Sequence, residues 1–327
     1  MRNHPFGVLM LAIFLASTAG PASARTWLVP ADTPTIAAAI DSAISGDVVE
    51  ISGGIYHEHG LVLKSGLTIR SEDPLDGATI DADGAGRIFY GFSVDSLTLT
   101  GLTLTDGYAS NGGAMNLQSC RDVAISNCTF LANRAYIAIG GAIQVDTGSS
   151  ILIEDCRFEG NDCQLDDGGA IWLSTGEAEI TRCTFVANHA INGGAISGSG
   201  PGTRITQCLF ENNDAFNGGA IDFRANTTTV TDCLFVGNTA TRGGAIGCWY
   251  ESTPEFIGCT LVENEASDEG GGIYCTNSAV ATVERSIIAF NSGDAIACKL
   301  QSSATLSCSD VHGNSGGDWT GCLAGQE

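Results

Sequence analysis

Basic residues are scarce in this 327-residue chain: Lys and Arg together number 14 against 37 Asp plus Glu, for a formal net charge of −23. A field of that sign repels polyanions and anionic lipid and draws cations, which argues against nucleic acid as a partner. A polyanionic glycan such as pectate would need bridging calcium or a local basic patch, and the Arg residues are scattered. Long apolar runs are also lacking, since nothing beyond the N-terminus approaches the roughly 18 residues of a membrane span. No nucleophile elbow, phosphate-cradling loop, Cys-x-x-Cys pair or zinc-protease helix occurs.

The N-terminus supplies Arg2, an apolar run from Val8 to Ala16 and the small residues Ala22-Ser23-Ala24. This pattern predicts a cleaved signal peptide over 1–24 and a soluble, exported protein, secreted or at the cell surface, starting near Arg25. The rest, 25–327, reads as one domain: a cap and irregular coils over 25–111, regular coils over 112–314, and an irregular end over 315–327.

The regular part rests on repetition. Gly-Gly-Ala-Ile or a close variant starts at Gly112, Gly140, Gly168, Gly193, Gly218, Gly243 and Gly270, with a degenerate copy at Gly293. Steps of 23 to 28 residues signal a solenoid. Within one repeat, three short strands of alternating character are separated by turns. Ile196 points inward from the first, Ile205 from the second, and Cys208 and Phe210 from the third. Each repeat closes on an Asn (Asn133, Asn161, Asn188, Asn213, Asn238, Asn264, Asn291 and Asn314), a residue that tolerates left-handed turns and can hydrogen-bond coil to coil when stacked. The expectation is an all-β, right-handed parallel β-helix with three strands per coil. Residues 35–45 predict an N-terminal capping helix, with Ile36, Ala37, Ile40 and Ile44 on one face.

Thirteen Cys in an exported protein would ordinarily suggest a disulfide framework. Here Cys128, Cys156, Cys183, Cys208, Cys233 and Cys259 recur once per repeat, with Ser286 continuing the row, and Cys248, Cys275 and Cys298 form a second row. Parallel strands about 4.8 Å apart hold equivalent Cβ atoms beyond the roughly 3.8 Å of a disulfide, so these nine read as small buried hydrophobes. Cys120, Cys163, Cys308 and Cys322 belong to no row, and Cys308 with Cys322 is the pair expected to bridge.

The alternation of Gly-Gly-Ala-Ile with Phe-x-x-Asn, strict from Phe130 to Asn238 and relaxed to Leu261, Ile288 and Val311 later, resembles the repeats of polymorphic outer membrane proteins, a bacterial adhesin family. That resemblance implies a β-helix with an adhesin-like role. No β-barrel follows the repeats, which departs from that family. Ala37 to Ile51 followed by Gly53 to Glu58 is similar to the opening coil of pectin methylesterases and other pectin-lyase-like proteins. Ala220-Ile221-Asp222-Phe223 faintly resembles the esterase's Asp-Phe-Ile-Phe segment, but Arg224-Ala225 follows and no companion catalytic set is recognisable.

Two groups of residues are candidate sites. Outward positions of the first strand form one row through Asn116, Gln144, Trp172, Ser197, Asp222, Gly247 and Tyr274, and a second through Gln118, Asp146, Ser174, Ser199, Arg224, Trp249 and Thr276. Trp172, Trp249, Tyr250 and Tyr274 thus share a face with Asp222 and Arg224, a combination that suits sugar rings; ordinary surface aromatics are the plainer reading. The residues after each ladder Asn bring Asp162, His189 and Asp214 into one loop-side row, near enough for alternative catalytic roles in glycoside hydrolysis or lyase chemistry. Asp162 with Asp166 and Asp167 offers oxygen ligands for calcium, although Asp and His are also common turn residues.

The leading expectation is a non-catalytic carbohydrate-binding or adhesin-like module, a monomer with a glycan or cell-surface polysaccharide as its partner. The alternatives are a polysaccharide lyase or glycoside hydrolase acting from the loop-side acids, and a passive scaffold of a longer surface protein.

Overall fold

The computed structural model describes residues 23–326 apart from 74–76, 175–176, 199, 201 and 226. The expected signal segment up to residue 22, and Ser199 of the second outward row, lie outside the described residues. Every strand pairing in the sheets is parallel, coil to coil, as the repeat implies. One coil shows the order: Ile151–Glu154, Arg157–Glu159, Asp162–Asp167, then Ile171–Leu173. Stacking them gives sheets of 12, 11, 7 and 10 strands among the described residues, here called sheets 1 to 4 in that order.

Sheet 3 corrects the expectation of three strands per coil. Its strands fall where the sequence reads as a loop side, and they alternate: Ala135, Cys163, Ala190, Ala215, Ala240 and Ala266 are buried between exposed or half-buried neighbours. Their small side chains leave sheet 3 close against the body, and Ala135, Cys163 and Ala190 form a minor cluster apart from the main core. The Gly-Gly corner that follows turns the chain into sheet 4. Gly168 has φ 72°, and a Cβ on Gly169 would lie 2.0 Å from the Gly194 carbonyl oxygen, so neither position accepts a side chain without displacement.

Inside, Phe130, Phe158, Phe185, Phe210 and Phe235 stack with ring centroids 4.7 to 4.9 Å apart. The Asn column is fully bonded: Asn188 Nδ2 donates to Asn213 Oδ1 at 2.9 Å and to the Phe158 carbonyl at 3.0 Å, and Asn188 N donates to the same Oδ1 at 3.0 Å. The left-handed residue is the one before each Asn, such as Ala132, Ala187 or Glu263, and not the Asn itself, whose side chain is committed to the ladder. Asn314 ends the column by donating from N and Nδ2 to Asp318 Oδ1, both at 2.8 Å. The Cys column occupies the corner between sheets 1 and 2 and works similarly, with Cys183 N donating to Cys208 Sγ and Cys208 N to Cys233 Sγ, each at 3.4 Å.

Both ends are closed. The N-terminal helix Ile36–Ser42 buries Ile36, Ala39 and Ile40, whereas Ala37 is exposed and Ile44 is 55% exposed, so the apolar face is rotated from the expected one. The reason is visible at its first turn, where Ile36 N and Ala37 N donate to the Glu58 carboxylate at 2.8 and 2.9 Å, fixing Ala37 on the outer side. At the other end a disulfide joins Cys298 to Cys322, correcting the expected Cys308–Cys322 pair. Cys298 lies on the last strand of sheet 4, and the short 3₁₀ helix Gly321–Leu323 crosses that end, leaving Cys308 exposed and free.

Candidate functional site

Sheet 4 presents its two outward rows in the expected register, with Trp172 beside Ser197, Ser197 beside Asp222, Asp222 beside Gly247, and Arg224 beside Trp249. The first row is nevertheless mostly buried: Asp222 is fully buried, Ser197 nearly so, and Tyr274 only 6% exposed. Outward-pointing side chains are covered because the ends of the sheet 3 strands lie over them before the Gly-Gly corner. Asp167, Asn192 and Asn217 pair in register there, and Asp167 and Asn192 are buried.

This covering brings together residues that the sequence places in separate groups. Arg224 Nε donates to Asp222 Oδ2 at 2.8 Å, while its Nη1 and Nη2 donate to Asp167 Oδ2 and Oδ1 at 3.1 and 3.3 Å. Asn192 Nδ2 donates to Asp167 Oδ1 at 2.6 Å and Asn217 Nδ2 to Asn192 Oδ1 at 2.7 Å. Beside them, Gly247 has no side chain, and a Cβ there would lie 2.8 Å from Trp249 Nε1 and 3.0 Å from Asp222 Oδ1. The Trp249 ring leans on Tyr274 with centroids 5.3 Å apart.

Burial pushes the Asp222 carboxyl up to about 7; Arg224 opposes this, Asp167 adds to it, and the Trp249 indole N–H opposes it. Burial likewise raises Asp167 above the usual carboxylate range, again opposed by Arg224. One guanidinium between two buried carboxylates is therefore a fixed element, and it remains one-third exposed. Trp249 and Trp172 are half-buried and Tyr250 is exposed, so the side chains that solvent reaches on this side include Trp172, Arg224 and Trp249, here called the shelf, with Tyr250 at its edge.

The loop-side row also forms, as the first residues of sheet 3, with Asp162 beside His189 and His189 beside Asp214. Its members do not act as one group. His189 Nδ1 lies 2.8 Å from Asp214 Oδ2, both more than half exposed, while Asp162 is paired with Arg134 at 3.1 Å. Asp214 Oδ1 accepts from Thr239 Oγ1 at 2.7 Å. Of the candidate calcium ligands Asp162, Asp166 and Asp167, the first is held by Arg134 and the last by Arg224. Among the described residues, the ligand atoms that converge are those of His57, Asp81 and Asp83, within 4.8 Å of one another near the N-terminal end.

Sequence reasoning missed Asp167, Asn192 and Asn217 as parts of the sheet 4 site. The available signal was the alternation His189-Ala190-Ile191-Asn192, which marks a strand whose last residue turns toward sheet 4.

Among the described residues, no helix is long and apolar enough to cross a membrane. No curated sequence matches the chain. Among solved structures, ORF18 of Geobacillus virus E2 is similar at 14% identity with a TM-score of 0.56, covering 84% of this chain, which spans only 57% of that one. The A-module of a mannuronan C-5 epimerase from Azotobacter vinelandii is similar at 14% identity with a TM-score of 0.53, covering 85% of this chain and 91% of that one. At these identities the likeness is one of fold. The family described as right handed beta helix region matches residues 65–215 and 169–322. With every sheet parallel and that match extending over most of its length, the chain belongs to the right-handed β-helix family.

Proposed function

We propose that this protein is an exported, non-catalytic carbohydrate-binding β-helix whose binding surface is the shelf of Trp172, Arg224 and Trp249. The observation that carries the reading is the pairing of Arg224 with Trp249 on adjacent coils, the guanidinium anchored by Asp222 and Asp167 and both side chains still partly exposed. An aromatic face beside an anchored hydrogen-bond donor suits a sugar ring and costs little side-chain entropy on binding. The epimerase module of similar fold is named for a reaction on mannuronan, which supports a polysaccharide partner here. The acidic charge favours a neutral glycan over a polyanionic one.

Asp222 is poorly suited to act directly on a substrate, because its carboxylate is sealed from solvent and committed to Arg224. The alternative, catalysis from Asp162, His189 and Asp214, has weaker support, since Asp162 is engaged by Arg134 and the His189–Asp214 pair is open to water. A screen of immobilised neutral polysaccharides with product analysis, run with and without calcium, tests both. Retention without cleavage supports the proposal, and cleavage lost in His189→Ala would replace it with the enzyme reading.

A further inference from the structure

The turns that leave sheet 4 stack as regularly as the strands. Tyr250 and Glu251 have φ 51° and 60°, Asn277 and Ser278 have 55° and 64°, and Leu300 and Gln301 have 47° and 65°. Backbone bonds hold them coil to coil, with Glu251 N donating to the Asn277 carbonyl at 2.9 Å and Ser278 N to the Leu300 carbonyl at 3.0 Å. Two coils separate the Tyr250 turn from the Leu300 turn, about 10 Å at strand spacing. Between them lies a cleft of about 730 Å³, walled by Tyr250 and Leu300, which are 56% and 68% exposed, and floored by the half-buried Asn277 and Ser278.

We propose that this cleft is a single-ring subsite for a neutral pyranose, continuous with the shelf through the Trp249-Tyr250 step; the proposal rests on the glycan-binding reading and names where the bound chain ends or branches. Three features point to that occupant. A spacing of about 10 Å admits one saturated ring in contact with a wall on each side, at roughly 3.5 to 4 Å from each. The aromatic wall offers a flat face to the axial C–H groups of such a ring. Asn277, Ser278 and Gln301 supply amide and hydroxyl groups, able both to donate to and accept from sugar hydroxyls. Among the described residues Glu251 is the one charged residue lining the cleft, which favours a neutral sugar over a carboxylated one.

The test titrates the full chain with neutral hexasaccharides of glucose, mannose and xylose, comparing the parent with Tyr250→Ala, Tyr250→Phe, Leu300→Ala and Trp249→Ala. We expect Tyr250→Ala to weaken the parent's best hexasaccharide about 5- to 10-fold, Leu300→Ala about 3-fold, and Tyr250→Phe less than 2-fold. Unchanged binding in both Tyr250→Ala and Leu300→Ala, with binding lost in Trp249→Ala, would overturn the subsite while leaving the shelf intact. If Trp249→Ala binds as the parent does but Tyr250→Ala does not, the shelf fails and the cleft stands alone. A parent that binds none of the three overturns both. Circular dichroism of each variant confirms that the coils are retained.

Discussion

Arg224 reaches back along its own strand to Asp222, Nε to Oδ2 at 2.8 Å, and with the rest of its guanidinium grips Asp167, 57 residues earlier in the chain. The contact locks the ends of the sheet 3 strands over sheet 4. It also leaves a fully buried carboxyl whose proton affinity differs between folded and unfolded states.

That difference gives a pH dependence with a definite sign. Asp222 titrates near 7 when folded and at the ordinary 3.8 when unfolded, so between those values the folded state holds a proton that the unfolded state has released. The contribution of this group is therefore fully present below about pH 4 and is lost as pH rises toward 7. Relative to Asp222→Asn, the melting temperature of the parent is expected to fall across that window and level off above it. A parent-minus-variant difference independent of pH would contradict the assignment.

The Asn ladder should be the most sensitive structural element. Asn188→Ala strands the Asn161 N–H and the Phe158 carbonyl, both buried, and is expected to cost about 3 kcal/mol in urea unfolding. Asp318→Ala, which removes the acceptor for Asn314 at the end of the column, should cost less because that end is nearer water. An Asn188→Ala loss below about 1 kcal/mol would show that the ladder bonds are replaceable.

Thiol chemistry separates the disulfide from the columns. Burial pushes Cys163 up to about 12 and Cys259 up to about 11, which suppresses the reactive thiolate. Folded protein is expected to react at Cys308 alone, and denatured, unreduced protein at all 11 free thiols. Mapping the one bridge to Cys308–Cys322 instead of Cys298–Cys322 would contradict the C-terminal closure.

Much of this architecture is legible in the sequence because a solenoid repeats its instructions. Gly-Gly, Cys, Phe and Asn recur at fixed phase, so inward rows, ladders and sheet register follow from counting, and Phe210 or Asn213 sits where its phase places it. What could not be counted was contact between unlike rows. Sheet 3 hides in a stretch of turn-forming Asp, Asn and His, and its alternation runs for only about four residues per coil. Without it, the outward row of Asp222 and Tyr274 reads as exposed, and Asp167 reads as a loop acid instead of a partner of Arg224. The Cys298–Cys322 bridge was illegible for a related reason: Cys298 keeps the phase of Cys248 and Cys275, and only the absence of a further coil above it frees its thiol for the 3₁₀ helix.

The most direct test of the central claim is the affinity of a Trp172→Ala, Trp249→Ala double variant for whichever neutral hexasaccharide the parent binds best, measured by titration calorimetry. Both rings are partly exposed on the shelf, so their loss should leave the circular dichroism spectrum unchanged while weakening binding at least 10-fold. Equal affinity in parent and double variant, with the fold intact, would show that sheet 4 does not carry the binding surface.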